Sequence, residues 1–85
     1  MLQKDIKLNP GSWLHAKSAA EFIQKASEYK SSIWVEKDNK KANAKSLLGL
    51  LALEISPGST VRLYAQGDDA SEALEALNVF LSQNV

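Results

Sequence analysis

His15 is the only histidine in the chain, and no other side chain here has an ordinary pKa near neutral pH. It stands between a turn-forming segment, Asn9-Pro10-Gly11-Ser12, and a run with helical spacing, which puts it at a loop-to-helix junction. The first backbone N–H groups of a helix lack intrahelical partners, and the peptide dipoles add partial positive charge there. An imidazole so placed could carry or receive a phosphoryl group. Lys17, two residues on, adds a formal positive charge. The plainer reading is a surface histidine or cap, and the residue types alone leave both open. Ser12, His15 and Asp5 do not make a credible hydrolase triad, since no Gly-x-Ser-x-Gly elbow or comparable nucleophile turn is present.

Composition narrows the field. Eighty-five residues suit one small domain, residues 1–85, with one core. Ten basic residues balance ten acidic ones, which argues against a nucleic-acid binder that works by neutralising phosphates. With no cysteine, disulfides, thiolate metal sites and thiolate nucleophiles are excluded, and a reducing cytoplasm is compatible. Met1 to Asp5 mixes charges and lacks the apolar stretch of a signal peptide. The longest apolar run, 47–53, is far too short to cross a bilayer, so the expectation is a soluble protein without membrane insertion.

Periodicity gives the elements that must position these groups. Leu2, Ile6 and Leu8 alternate with Gln3, Asp5 and Lys7 in a half-buried strand over 2–8, with Lys4 the one misfit. Ala19, Phe22, Ile23 and Ala26 form the apolar stripe of a helix over about 16–28. Ser18-x-x-Glu21 fits a capping box that would start it later and leave His15 in the loop. Strand 32–36, a tight turn at Asp38-Asn39 and a return strand over 41–44 read as a hairpin. Ser46 is a good N-cap for a short helix over 47–53. On its wheel Leu47, Leu48 and Leu51 form one arc while Leu50 and Leu53 lie opposite, so one group should be exposed.

After the Ser56-Pro57-Gly58-Ser59 turn, Val61, Leu63 and Ala65 share one face of a strand over 60–65. Asp69-x-x-Glu72 is a second capping-box-like pattern. It precedes a helix to about 83 with Ala70, Ala73, Leu74, Leu77 and Leu81 as its stripe. Capping is also the stronger reading of Asp68, Asp69 and Glu72 than a metal site, because no other ligand falls near them. The order βαββαβα, with four alternating strands and three helices to cover one face, implies a two-layer α+β domain.

Leu14-His15-Ala16-Lys17-Ser18-Ala19 and Asn43-Ala44-Lys45-Ser46-Leu47-Leu48-Gly49-Leu50-Leu51 resemble HPr, the histidine-containing phosphocarrier family of the bacterial sugar phosphotransferase system. The resemblance covers essentially the whole chain. It implies an open-faced sandwich with an antiparallel sheet in the order 1-4-2-3, whose outer face leaves Trp34, Arg62 and Tyr64 toward solvent. It implies that His15 accepts a phosphoryl group at Nδ1 from enzyme I and hands it to enzyme IIA proteins, as a relay protein without a small-molecule pocket or cofactor. Ser46 matches the serine that a kinase/phosphorylase modifies in Gram-positive members, the product acting with a catabolite-control transcription regulator. Ala16, Ala20, Leu47, Leu48 and Leu51 would be the docking surface. Several residues depart from the family pattern. Lys17 replaces an arginine and loses its planar fork. Ser18 replaces a proline, Trp13 a glycine, and Glu54 a glycine that ends the second helix. The same resemblance includes a catabolite-repression homologue that lacks the histidine and works through the serine, so a regulatory binding module is the alternative.

Overall fold

A computed structural model describes residues 1–8, 16–56 and 58–82. Its elements run β1 (Leu2–Lys7), α1 (Ala16–Ala26), β2 (Ser32–Lys37), β3 (Lys40–Asn43), α2 (Leu47–Ala52), β4 (Thr60–Gln66) and α3 (Ala70–Ser82). The four strands form one antiparallel sheet in the order β1-β4-β2-β3. The expected α+β open-faced sandwich is thus the observed one.

The alternation read from sequence sets which face is covered. Ile6, Ile33, Val35, Val61, Leu63 and Ala65 point into the core, and α1 and α3 supply Ala19, Phe22, Ala73, Leu77 and Leu81 against them. Phe22 and Phe80 meet edge to face with ring centroids 5.8 Å apart, joining α1 to α3. Of the first strand's apolar side, Ile6 and Leu8 are buried while Leu2 is exposed. Leu8 lies just beyond β1 and donates its N–H to the Ser59 carbonyl at 2.8 Å.

The hairpin turns at Asp38 and Asn39, with φ 52° and 67°. Positive φ at both central residues is the twist-compatible geometry for a two-residue connection. On the outer face, cross-strand pairing aligns Asp5, Arg62 and Glu36, and in the next row Gln3, Tyr64, Trp34 and Asn43. Arg62 is exposed as expected, whereas Trp34 and Tyr64 are only half-exposed. Tyr64 lies beneath Lys41 Nζ, 4.1 Å from the ring centroid, and its hydroxyl donates to Glu36 Oε1 at 2.6 Å. No helix among the described residues is long and apolar enough to cross a membrane.

Candidate functional site

His15 and Trp13 lie outside the described residues. The helix that follows begins at Ala16, three residues earlier than a Ser18 cap would require. An N-cap residue takes non-helical φ and ψ. Ser18 is the third residue of α1 and is buried, so the capping-box reading there is corrected. Lys17 and Ala20 are exposed. They are three residues apart, the spacing that puts two side chains on one helical face. The helix ends at Ala26, earlier than 28, and the chain leaves it through turn hydrogen bonds from the N–H groups of Glu28 and Tyr29.

Ser46 is the N-cap expected of it. Its backbone is extended (φ −115°, ψ 114°), its carbonyl accepts the Leu50 N–H at 3.0 Å, and its Oγ accepts the Gly49 N–H at 3.2 Å. The run LLGLL follows as α2, and the split of its leucines matches the wheel. Leu48 is 82% exposed, Leu47 42% and Leu51 37%, while Leu50 is fully buried and Leu53 nearly so. A Cβ at position 49 would stand 3.3 Å from the Ala42 Cβ and 3.3 Å from the Ser46 Oγ. Glycine there lets α2 lie close on β3 without disturbing the cap. α1 packs against α2, so the exposed leucines and the α1 residues Lys17 and Ala20 are carried by neighbouring helices.

Polar struts that the sequence did not reveal fix this layer. Lys45 Nζ donates to the carbonyls of Tyr29 at 2.8 Å and Ser31 at 3.1 Å, tying the residue before Ser46 to the segment that leaves α1. Asp69 holds the expected N-cap position of α3, its carbonyl accepting the Ala73 N–H at 2.9 Å, while its carboxylate accepts the N–H groups of Lys30 at 2.8 Å and Ser31 at 3.0 Å, and the Ser31 hydroxyl. These bonds, the Ser31 hydroxyl first, hold the Asp69 pKa below the ordinary carboxylate range. The close approach depends on Gly67, at φ 147°, where a Cβ would lie 2.5 Å from the Ser31 Oγ and 2.8 Å from its Cα.

At the far end of α2, Glu54 follows the Leu53 cap with a left-handed φ of 53°, the ending a glycine would make, so the changed exit expected from the substitution is corrected: the exit is kept and Glu54 bears its strain. Lys37 Nζ donates to its carbonyl at 3.0 Å. On the sheet's outer face, Arg62 Nε donates to Asp5 Oδ1 at 2.6 Å and Nη2 to Oδ2 at 3.3 Å. That fork lowers the Asp5 pKa and raises that of Arg62. None of these pairs belongs to the predicted site. They fix the frame around it, and the sequence carries no signal for a lysine that caps a carbonyl two elements away.

A cap whose hydroxyl faces a helix start can accept a phosphate where the partial charge favours it. A leucine ridge beside it can meet an apolar partner. The described geometry thus suits protein docking and a modifiable cap.

Comparison with known proteins agrees with this architecture. The family model described as the PTS HPr component phosphorylation site matches residues 2–83. The HPr-like protein Crh of Bacillus subtilis is 42% identical over 85 residues, covering all of both chains. The phosphocarrier protein HPr of Neisseria meningitidis serogroup A is 38% identical over 77 residues, 91% of this chain and 86% of that protein. Among solved structures, HPr-C-His from Thermoanaerobacter tengcongensis superposes with a TM-score of 0.90 at 48% identity, covering 95% of this chain and 91% of that one. With the family model and a full-length relative both spanning the fold, the chain belongs to the HPr family of the bacterial phosphotransferase system, and its partners are proteins of that system.

Proposed function

We propose that the chain is a phosphocarrier in which His15 accepts a phosphoryl group from enzyme I and passes it to sugar-specific enzyme IIA proteins. The observation that carries this reading is the leucine ridge of α2, with Leu48 82% exposed on a helix whose opposite arc is buried. Solvent exposure of three leucines on six helical residues has no value to the fold, whereas a transient partner gains from covering them. Ala16 and Ala20 complete the docking surface on α1.

His15 immediately precedes the first residue of α1. In the transfer the donor's bond to phosphorus breaks as the bond from phosphorus to the imidazole Nδ1 forms, and the onward step reverses this. Lys17 offers the phosphoryl oxygens a point charge, with less control of orientation than a forked arginine. Ser46, whose Oγ already takes part in the cap, is the regulatory site for a serine kinase/phosphorylase. Phosphate there would set negative charge beside Leu47 and Leu48 and change what docks. Work in the cytoplasm, where these partners act, follows from the same reading.

The rival reading, a regulatory module that engages a catabolite-control transcription regulator through Ser46 and α2, is supported by the 42% identity to the Crh protein over all of both chains, while the 48% identity to an HPr weighs on the carrier's side. Retention of His15 favours the carrier. The two separate when radiolabelled phosphoenolpyruvate, enzyme I and a IIA protein are combined with the chain. Onward transfer that disappears in His15→Ala and persists in Ser46→Ala establishes the relay. Phosphorylation by the serine kinase with no transfer through His15 establishes the regulatory module instead.

A further inference from the structure

The face of α3 that looks away from the sheet is not an ordinary solvated helix face. Glu72, Glu75, Ala76 and Val79 recur at helical spacing along it and, with Lys25 of α1, line a groove of about 580 Å³. No residue of α2 contributes to this lining. Val79 is 45% exposed. A β-branched residue at an exposed helical position serves neither the core nor helix propensity. Glu75 also lines a neighbouring hollow of mixed character, with Leu2 and Leu74 beside Gln3 and Lys4.

The rim carries two carboxylates, Glu72 and Glu75, against one ammonium, Lys25. The ammonium of Lys25 already faces Glu28 at 3.6 Å, while Glu72 and Glu75 form no ion pair among the described residues. Two unpaired carboxylates flanking an apolar floor would repel an anionic lipid surface and attract a cationic one.

We infer that this groove is a second docking surface, which receives a basic amphipathic helix of a partner protein. The partner's apolar side chains would lie against Ala76 and Val79, and its lysines or arginines would face Glu72 and Glu75. The site is independent of the leucine ridge and of phosphoryl transfer, so one partner can occupy it while another holds α2.

The test is an NMR titration of the isotope-labelled full chain with a synthetic leucine–lysine helical peptide, and with a leucine–glutamate peptide of the same pattern as control. The lysine peptide should shift amide resonances of α3 from Ser71 to Val79 and of Lys25, saturably and less at high salt, and the glutamate peptide should shift none. The double variant Glu72→Gln with Glu75→Gln should weaken binding roughly fivefold and Val79→Ser several-fold, both with otherwise native spectra. Shifts centred on Leu47, Leu48 and Leu51, undiminished binding by the double variant, or no saturable shifts would each overturn the assignment.

Discussion

Replacing Leu48 by alanine separates docking from folding more cleanly than any other substitution in this chain. Leu48 is 82% exposed, so nearly all of the free energy of burying it is still to be gained when a partner arrives. Complete burial of a leucine contributes about 1.5–3 kcal/mol. Truncation to alanine removes most of that side chain, and a loss of about 1.5 kcal/mol, roughly tenfold in Kd, is expected for enzyme I. Leu47 and Leu51 are already more than half covered, so each should lose only about threefold on truncation. Stability should barely respond to Leu48→Ala, by less than about 0.5 kcal/mol, because that side chain is 82% exposed in the folded chain. The control is two residues away. Leu50 is fully buried, and Leu50→Ala should cost about 2–5 kcal/mol of stability. Calorimetric titration against enzyme I, with urea denaturation of each variant, reads both quantities. Wild-type affinity in Leu48→Ala, or a loss of stability comparable to that of Leu50→Ala, would refute the assignment of the two arcs.

Gly67→Ala should destabilise by roughly 2–4 kcal/mol in urea denaturation, since the new Cβ meets the Ser31 backbone at a φ of 147°. Glu54→Gly should raise stability by about 0.5–1 kcal/mol in the same assay, because it relieves a left-handed φ while keeping the carbonyl that Lys37 holds. Acidification should act through Asp69 and Asp5, whose pKa values are depressed in the folded chain. Their stabilisation is fully present above the ordinary aspartate value and disappears as pH falls through the lower folded values. The urea midpoint should therefore decline only on strong acidification, and Asp69→Asn should flatten that decline.

Sheet faces and helical stripes were legible because burial enforces them. Val61, Leu63 and Ala65 could not change sides without exposing the whole strand, and Leu50 and Leu53 separate from Leu47, Leu48 and Leu51 by helical geometry alone. The strand order came from the family resemblance, because hydrophobic alternation says nothing about which neighbour a strand takes. Short polar patterns were the weaker guide. Ser18-x-x-Glu21 and Asp69-x-x-Glu72 both look like capping boxes, yet Ser18 lies inside α1 and the Asp69 carboxylate is drawn to the Lys30 and Ser31 amides across a contact 38 to 39 residues away in sequence. Such a partner is set by the packed fold. Ser46 is legible for the converse reason, since its cap partner lies three residues away in sequence.

The account rests on phosphate exchange at His15, and peptide mapping by mass spectrometry after incubation with enzyme I and phosphoenolpyruvate tests it most directly. The account predicts one acid-labile phosphoryl group on the peptide that contains His15, discharged when an enzyme IIA protein is added. An unmodified His15 peptide under conditions that fully charge another HPr protein would contradict it.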